Sequence, residues 1–340
     1  MRKFKMLVLT DHRSHSQENS IYALLSALRQ HRNCDYIDVA SRGHQINAGF
    51  FYSFYDTRPF VTRVTPNFSF NADSRSFLND LRRIHLHEYD VIFLRLPHPT
   101  PQGFWSFLRT QFPESRIFNR PSGVERSSSK EFLLEVSSLC PPMKLCKTPE
   151  DILEFKAQFP IVLKPLRGYG GQGIVKIEGD KAWVGNEEMD LIAFLESLQN
   201  EPIEFLGMKY LKNVGQGDKR IVVINGKIFG ASLRLPPENS WLCNSSQGGK
   251  SVVAEVDGEE RVIAMRLASV LAKMGVILFG FDTLVDDNGK RVLSEINTMS
   301  IGGMMQIDQA SNDRLLERAA DWIWSYVKND VYGQFSKVGQ

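Results

Sequence analysis

All seven histidines fall within the first 98 residues, so the sequence contains no histidine after His98. Histidine-dependent catalysis and histidine-containing zinc sites are therefore excluded from residues 99–340. Cysteine is also sparse. The sequence has four cysteines, Cys34, Cys140, Cys146 and Cys243. They show neither a Cys-x-x-Cys pair nor metal-ligand spacing, which is typical of reduced thiols, and we expect a cytoplasmic protein.

Long hydrophobic runs and an excess of one charge are missing as well. No stretch approaches the roughly 18 apolar residues of a membrane span, and the first apolar run, from Met6 to Leu9, is too short for a signal sequence. The 340 residues carry a formal net charge of only +2. We therefore expect neither nucleic acid nor a membrane as a partner, and any anion site should be local. The composition leaves open whether the chain forms a homo-oligomer.

The first third of the chain alternates strand and helix patterns. The segments "KMLVLT", "CDYIDVA", "YDVIFLRLP" and "RIFN" have the pattern of short buried strands, and "ENSIYALLSALRQH" has apolar residues at helical spacing. This order predicts a parallel, Rossmann-like α/β domain that ends near residue 120. Residues 50–74 are aromatic and irregular, which favours a packed loop over an interface.

After residue 120 the pattern changes to capped helices and hairpins. "SSSKEFLLEVSSL" and "TPEDILEFKAQF" have the composition of N-capped helices. Asn225-Gly226 and Asn288-Gly289 each separate two strand-like runs, which is the strongest short signal for a β-hairpin. The sequence "SNDRLLERAADWIWSYVKN" near the C-terminus predicts an amphipathic helix whose tryptophans lie in the core.

A glycine-rich stretch, "VLKPLRGYGGQGIVKI", places Gly168, Gly170 and Gly173 in a G-x-G-x-x-G pattern that several kinds of nucleotide site share. A dinucleotide fingerprint needs a helix after the last glycine, but "GIVKIEGD" alternates as a strand does. A P-loop needs lysine followed by serine or threonine at that point, where this chain has isoleucine and valine. The kinase pattern fits locally, but a kinase also needs a His-Arg-Asp loop, which the absence of later histidines excludes.

The arrangement that remains is a strand, a glycine turn and a second strand, with Lys164 on the first strand. Such a flap can fold its backbone N–H groups over phosphates while the lysine supplies a charge. A flexible hairpin with a surface lysine is the alternative, and this stretch alone leaves both open.

The second hairpin predicts a pair of facing carboxylates. If Asn288-Gly289 is a two-residue loop, Asp287 faces Lys290, and counting back pairs Asp282 with Glu295. Two carboxylates about 4 Å apart repel by about 4 kcal/mol at an effective dielectric of 20, so a positive group should lie between them. Asn297 projects from the same face and adds a neutral oxygen.

Three such oxygen ligands suit Mg²⁺ carried with nucleotide phosphates. An EF-hand is a competing interpretation, since Asp286, Asn288, Gly289 and Glu295 have its spacing, but Leu284 occupies its first ligand position and its flanks are strands. A structural carboxylate pair neutralised by lysines is the other alternative.

These motifs together resemble a known family. "NRPSGVERSSSKEFL", "VLKPLRGYGGQGIV", "YLKNVGQGDKRIVVING", "LRLP" with a downstream "GG", and "GFDTL…LSEIN" occur in the order and spacing of ATP-grasp enzymes, and the chain most resembles bacterial glutathione synthetases. The likeness covers nearly the whole chain, because "ENSIYALLSALR" and "IFLRLPHPTP" resemble the N-terminal domain of that family.

The resemblance implies an α/β protein with a Rossmann-like N-terminal (pre-ATP-grasp) domain followed by a two-lobed ATP-grasp α+β fold. The implied division has four parts: an N-terminal substrate domain over residues 1–120, a central lobe with the glycine flap over 121–200, a C-terminal lobe with the metal site and lid over 201–330, and a tail over 331–340.

The resemblance also implies ATP and Mg²⁺, or Mn²⁺ in its place, and a site residue by residue. The implied ATP contacts are Lys130, Lys164, Gly170, Gly171, Gln172, Gly173, Tyr210, Leu211 and Asp218, with Asp218 near the ribose or substrate. The implied metal ligands are Asp282, Glu295 and Asn297. Arg220 and Arg234 would face the transferred phosphoryl group and the substrate carboxylate.

The implied reaction is ATP-dependent ligation of a small-molecule or peptide carboxylate to an amine through an acyl phosphate. Glutathione synthesis from γ-glutamylcysteine and glycine is the first expectation. A ligase for another peptide or amino acid and a non-catalytic nucleotide-binding protein are the alternatives. In the lid, Pro236 to Lys250, Leu242 and Cys243 stand where the family has an arginine-glycine pair, and "TMSIGGMM" replaces its Ser-Pro-Thr type sequence. Because those positions touch the peptide substrate in the family, the reaction class is implied more directly than the substrate.

Overall fold

Three β-sheets, each packed against helices, organise the chain. The computed structural model describes residues 2–168, 171–185, 187–198, 202–236, 250–311 and 313–333. Within these residues, no helix combines the length and the apolar character that crossing a bilayer requires.

The first sheet is the predicted parallel one. Its strands are β1 (Phe4–Thr10), β2 (Cys34–Ser41), β3 (Phe60–Arg63), β4 (Arg82–Arg83), β5 (Val91–Arg95) and β6 (Ile117–Phe118). They lie in the order β4-β3-β2-β1-β5-β6, in which β2, β1, β5 and β6 are parallel, β3 is antiparallel to β2, and β4 is antiparallel to β3. Its helices are α1 (Ile21–Gln30), α2 (Ala48–Phe51), α3 (Arg75–Leu78) and α4 (Phe104–Gln111). The buried residues of α1 recur at helical spacing, as the sequence predicted.

The aromatic segment packs into this first domain. Phe50 and Phe51 are 1% and 0% exposed, and both rings contact Phe104 of α4. The expectation of a packed segment is confirmed for these residues. The short strand β3 within it was not predicted, because only four residues pair and its aromatic neighbours hide the alternation.

The second sheet is antiparallel throughout. Its strands are β7 (Met143–Cys146), β8 (Ile161–Pro165), β9 (Val175–Glu178), β10 (Lys181–Val184), β11 (Glu187–Asp190) and β12 (Phe205–Lys209), in the order β11-β10-β9-β8-β12-β7. The helices in this part are α5 (Pro121–Ser127), α6 (Pro149–Lys156) and α7 (Leu191–Ser197). Helix α6 begins with the predicted cap: the Thr148 hydroxyl accepts from the Asp151 N–H at 3.2 Å.

The predicted serine-capped helix over "SSSKEFLLEVSSL" is present as a 3₁₀ helix. Lys130–Leu139 forms 3₁₀ turns, and the backbone leaves helical geometry at Val136, with φ −123° and ψ 28°. The serine cap is present, since the Ser129 hydroxyl accepts from the Glu131 N–H at 3.3 Å. A cap signals where a helix starts but does not determine whether its turns are α or 3₁₀.

The third sheet carries the two hairpins. Its strands are β13 (Asp218–Ile224), β14 (Lys227–Leu235), β15 (Lys250–Ala254), β16 (Leu278–Val285) and β17 (Arg291–Asn297), in the antiparallel order β15-β14-β13-β16-β17. Its helices are α8 (Gly258–Lys273), α9 (Met304–Gln309) and α10 (Leu315–Tyr326). Helix α10 packs on α1, where the Trp324 indole donates to the Leu28 carbonyl at 3.0 Å. Its tryptophans are therefore core residues, as predicted.

The two hairpins differ in how well the sequence predicted them. Asn225 and Gly226 form the two-residue loop, with φ values of +48° and +73°. The two-residue loop at Asn288-Gly289 is wrong, because Val285 pairs with Arg291 and five residues intervene. The five-residue loop shifts the strand pairing by one residue from the predicted register. A β-bulge between Asp282 and Thr283, in which Ser294 is the extra residue on the opposite strand, reverses that shift. Asp282 and Glu295 therefore face each other as predicted, although the loop does not.

One buried side chain ties the first sheet to the third. Asn119, directly after β6, is 3% exposed. Its amide NH₂ donates to the carbonyls of Leu278 (2.6 Å) and Thr298 (2.7 Å), and its oxygen accepts from the N–H groups of Ile277 and Leu278. This one side chain satisfies four backbone groups, so it fixes the start of β16 and the end of β17 relative to the first sheet.

We expect Asn119→Ala to lower the free energy of unfolding by at least about 2 kcal/mol, because it leaves buried backbone groups without partners. Urea denaturation measures the loss. The control is Asn67→Ala at an exposed asparagine of the first domain, which should change the stability by less than about 0.5 kcal/mol. Equal stability of the two variants would show that the Asn119 bonds do not hold the sheets together.

Candidate active site

A cleft of about 710 Å³, open to solvent, lies between the second and third sheets. Apolar side chains, including Val162, Ile174, Met208 and Leu284, form its walls. Five of the predicted site residues line it directly: Lys164, Tyr210, Leu211, Asp218 and Glu295. The cleft thus combines an apolar compartment with a charged end.

The glycine-rich loop joins two antiparallel strands at the edge of this cleft. Leu163 of β8 pairs with Val175 of β9, which is the predicted strand, turn and strand. Gly171 and Gly173 have φ values of +76° and +69°, and a Cβ on Gly173 would lie 3.0 Å from the Pro165 ring. Glycine is therefore required at Gly173 on two grounds.

The other loop residues are placed less fully. Gln172 is exposed in the same turn, and Gly170 lies outside the described residues. The next element after the loop is strand β9 rather than a helix, so the dinucleotide and P-loop interpretations stay excluded.

The ammonium groups of two lysines are held by different elements, one by strand β17 and one by the start of this loop. Lys164 donates to the carbonyl (3.1 Å) and hydroxyl (2.9 Å) of Ser294, and Lys130 donates to the Gly168 carbonyl. Burial lowers the pKa of both lysines, and the negative charge of Glu295 acts against that shift. Each lysine also lies in the field of an anion, so a phosphate placed here would meet two partly desolvated cations.

Ser294 is a site residue that sequence reasoning missed. It is the extra residue of the β-bulge, and both its hydroxyl and its carbonyl accept from Lys164. A bulge needs no particular residue type in "LSEIN", so the sequence carried no signal for it.

Asp282 lies at the centre of a network of arginines and carboxylates. It is 2% exposed and accepts from Arg220 at 2.8 and 2.7 Å and from Arg234 at 2.8 Å. Arg234 also donates to Asp218 at 2.6 and 2.7 Å. Strand register produces the network, since Arg220 pairs with Asp282 and Asp218 pairs with Arg234. The positive group expected beside the carboxylate pair is therefore present as two guanidinium groups.

The two aspartates of this network titrate differently. Burial, and then the charge of Asp282, raise the pKa of Asp218 to about 6. Burial acts in the same direction on Asp282, but the adjacent charges of Arg220 and Arg234 outweigh it and hold the pKa of Asp282 below its usual range. Asp282 therefore stays ionised, and Asp218 takes up the proton first as the pH falls.

The three predicted metal ligands are neighbours. Asp282 faces Glu295, and the Asn297 amide nitrogen lies 3.5 Å from an oxygen of Asp282. The part of the chain that the structure describes contains no cluster of three or more His, Cys, Asp or Glu side chains that could hold a metal ion. The predicted set has two carboxylates and one amide, all hard oxygen donors, and fits Mg²⁺ chemically, with Asp282 also committed to its arginines.

Comparison with known proteins places this geometry. Residues 129–312 match the family model of the ATP-grasp domain of prokaryotic glutathione synthetase. The chain belongs to this family. The glutathione synthetase of Brucella melitensis is 33% identical over 232 residues, covering 67% of this chain and 70% of the relative. That of Mesorhizobium japonicum is 30% identical over 283 residues, covering 80% and 86%.

Solved structures agree on the fold. D-cycloserine synthetase superposes with a TM-score of 0.63 at 13% identity, covering 95% of this chain and all of the other. A Chryseobacterium gregarium RiPP-associated ATP-grasp ligase, solved with ADP and a leader and core peptide, gives 0.62 at 14% identity, covering 96% and 97%. The predicted ATP-grasp fold is confirmed. The family match and the relatives support the coarser class of an ATP-dependent, glutathione synthetase-like ligase.

Most of the predicted site residues converge on one place. Lys164, Tyr210, Leu211, Asp218 and Glu295 line the cleft. Arg220, Arg234, Asp282 and Asn297 are linked to Asp218 or to one another by side-chain contacts. Lys130 binds the Gly168 carbonyl, and Gly171, Gln172 and Gly173 lie in the loop that joins β8 to β9. The lid positions Leu242 and Cys243 lie outside the described residues. The individual roles of these residues stay predictions.

The pKa of Asp218 gives a pH-dependent prediction. Because the folded-state pKa of about 6 exceeds the ordinary value of 3.8, the folded state binds this proton more tightly than the unfolded state. The stabilisation that protonation gives is complete below about pH 4 and is lost as the pH rises through 6. Asp218→Asn cannot ionise, so the stability of wild type relative to this variant should fall by up to about 3 kcal/mol between pH 4 and 7.

Urea denaturation at several pH values measures this difference. Asp35→Asn, at an exposed aspartate of the first domain, serves as the matched control and should show no such fall. A difference between wild type and Asp218→Asn that stays constant or rises over this range would contradict the raised pKa.

Proposed function

We propose that the chain is an ADP-forming carboxylate–amine ligase that makes an amide bond through an acyl phosphate. The observation that carries the proposal is the grouping of four cationic side chains at the charged end of one cleft. Lys164 lines the cleft, and Lys130 binds the Gly168 carbonyl at the start of the glycine loop. Arg234 binds Asp218 of the cleft wall, and Arg220 binds the adjacent Asp282. Both steps of such a reaction build negative charge on oxygen, so fixed cations lower their barriers.

ATP occupies the cleft with its adenine against Tyr210 and Leu211, where the walls are apolar. Its phosphates lie toward Lys164 and Lys130, and the N–H groups of the glycine loop close over them. Asp218 contacts the ribose or the substrate from the floor of the cleft. The lysines orient the phosphates as point charges.

Glu295, Asn297 and Asp282 would hold Mg²⁺, with Mn²⁺ as a substitute, because they present hard oxygen donors on one face of the hairpin. The ion would neutralise charge on the phosphates. Arg220 and Arg234 keep Asp282 ionised, so this carboxylate is available as an anion at any working pH.

The donor carboxylate approaches the arginine pair. One of its oxygens attacks the γ-phosphorus, the bond to the β–γ bridging oxygen breaks, and ADP leaves with the electron pair. The amine then attacks the acyl carbon, and phosphate leaves as the C–N bond forms. No protein nucleophile or histidine in the ATP-grasp lobes is needed, because position and electrostatics supply the catalysis.

γ-Glutamylcysteine and glycine are the proposed donor and acceptor, because the matching family and the relatives from Brucella and Mesorhizobium are glutathione synthetases. Leu242 in place of a cationic lid residue removes a charge-assisted hydrogen bond worth roughly 1.5 to 3 kcal/mol, so another group must compensate if this donor is used. The proposal includes the four-part division of the chain, a cytoplasmic location, and neither nucleic acid nor membrane as a partner.

The test is ADP release with γ-glutamylcysteine plus glycine, beside a panel of other amino-acid and dipeptide donors. A parallel reaction with a high concentration of hydroxylamine captures any acyl phosphate as a hydroxamate. We expect hydroxamate with the preferred donor only when ATP is present. A different donor preferred by more than a hundredfold would overturn the glutathione assignment, and no ADP with any donor would overturn the ligase assignment.

Lys164→Met should weaken binding of ADP and non-hydrolysable ATP analogues by roughly 10- to 100-fold, because the phosphates lose a buried cation. Titration calorimetry measures the affinity. The fold should survive, since methionine fills the same space without a charge to bury. The matched control is Lys3→Met at an exposed lysine near the N-terminus. Equal nucleotide affinity in both variants would mean that the glycine loop is a flexible hairpin with no phosphate-binding role.

A further inference from the structure

Contacts at both ends of the cleft join the second sheet to the third. At the charged end, the Lys164 ammonium of β8 bonds the carbonyl and hydroxyl of Ser294 in β17. At the apolar end, the loop between β16 and β17 bonds the end of β12 and the residues that follow it. The proposed function uses the first of these contacts, because Lys164 is assigned to the phosphates, and it gives no role to the second.

The loop at the apolar end, residues 286–290, is shaped by its own side chains. The Asp286 carboxylate accepts from the N–H groups of Asn288 (2.9 Å) and Lys290 (2.8 Å), and Gly289 has a φ of +83°. Asp286, Asn288 and Gly289 are the residues whose spacing resembles an EF-hand, and in the fold they close a loop between two strands. The loop presents the side chain after Asp286, that of Asp287, to β12.

Asp287 bonds the residues on both sides of the proposed adenine contacts. One carboxylate oxygen accepts from the Lys209 ammonium at 2.7 Å, and the other accepts from the Lys212 N–H at 3.1 Å. Tyr210 and Leu211, the proposed adenine contacts, lie between those two residues in sequence and line the cleft. One side chain therefore holds this adenine segment, residues 209–212, at both ends.

The same loop holds the chain one residue further on. The Asn213 amide NH₂ donates to the Asp286 carbonyl at 2.6 Å. Val214, which follows, lines the cleft, and so does Leu284, which precedes the loop in β16. The loop thus joins two walls of the cleft, one formed by the residues around the end of β12 and the other formed by β16.

The Asp287 carboxylate is ionised at neutral pH. The Lys209 ammonium, and then the Lys212 N–H, hold the pKa of this carboxyl below its ordinary value. The side chains of Asp287 and Lys209 are 28% and 29% exposed, and an ion pair that water reaches contributes little to the stability of a whole fold. We therefore expect the pair to affect the geometry of the cleft wall more than the global stability.

We propose that Asp287 is a positioning residue for the nucleotide, which sets the separation between the adenine segment and Leu284. The proposal rests on the proposed ligase function, in which ATP occupies this cleft. Dispersion attraction falls steeply with distance, and a gap of about 0.5 to 1 Å already forfeits roughly a quarter to a half of it. A flat base therefore binds best when both walls are held at contact distance, whereas phosphates at the charged end do not depend on Asp287.

Titration calorimetry with ADP tests this role in wild type and Asp287→Ala. The variant loses both bonds of the carboxylate, and we expect the Kd for ADP to rise roughly 3- to 10-fold. With the donor and acceptor that the panel selects, the KM for ATP should rise by a similar factor. The kcat and the KM for the donor should stay within about twofold of wild type, and the midpoint of thermal unfolding should fall by less than about 3 °C.

Asp180→Ala is the matched control, because Asp180 is also a loop aspartate, lies 3.5 Å from the Lys156 ammonium and does not line the cleft. It should leave the Kd for ADP within about twofold of wild type. Unchanged ADP affinity in Asp287→Ala, or an equal rise of the Kd in both variants, would overturn the positioning role while the ligase function stands. A wild type that binds no ADP would overturn both.

Exchanging the two charges separates positioning from a general loss of packing. Lys209→Asp places two carboxylates side by side and should weaken ADP binding at least as much as Asp287→Ala does. Adding Asp287→Lys restores an ion pair in the reverse order, so the double variant should bind ADP more tightly than Lys209→Asp alone. It should not reach wild type, because a lysine cannot accept from the Lys212 N–H. A double variant that binds no better than Lys209→Asp would show that the ion pair does not position the adenine segment.

Discussion

The active site depends on one buried charge cluster, in which the carboxylate of Asp282 lies between the guanidinium groups of Arg220 and Arg234. A carboxylate that is 2% exposed cannot remain ionised without compensation, and removing one partner of such a pair typically costs about 3 to 5 kcal/mol. Three neighbouring strands supply the partners through their register alone. The floor of the cleft is therefore fixed before any substrate arrives, which is the condition for electrostatic catalysis.

The other charged side chains of the site depend on that cluster. Arg234 binds both Asp218 and Asp282. Burial and then the charge of Asp282 raise the pKa of Asp218 to about 6, whereas Arg220 and Arg234 hold the pKa of Asp282 below its usual range. On the far side of Asp282, Glu295 is the anion that lies in the field of Lys130 and Lys164. Anionic and cationic side chains alternate along the cleft, and the cations face the region assigned to the phosphates. When a polyanion binds here, protein cations that are already in place take over the interactions that water made with it.

The sequence predicted the elements that depend on local pattern and missed those that depend on long-range contacts. Alternation and Asn-Gly turns indicated the strands of the third sheet. The strand-like alternation after Gly173 excluded a dinucleotide site, and isoleucine and valine in place of lysine and serine or threonine excluded a P-loop. The facing of Asp282 and Glu295 was right although the loop was wrong, because the Ser294 bulge cancels the one-residue shift in register that the five-residue loop produces. The hydrogen bonds of Asn119, and those of Arg42 to the carbonyls of Pro97 and Pro99, join residues far apart in sequence, and no local pattern indicates such contacts.

The central claim is that the carboxylate face of the hairpin and the two lysines together bind a nucleotide with its metal. The most direct measurement is a crystal structure with ADP and Mn²⁺, in which the anomalous signal locates the ion. The account predicts the Mn²⁺ peak within about 2.5 Å of oxygens of Glu295 and Asn297, with the ADP phosphates between the ion and Lys164. ADP bound with its phosphates away from Lys164, or an ion without contact to Glu295, would contradict it.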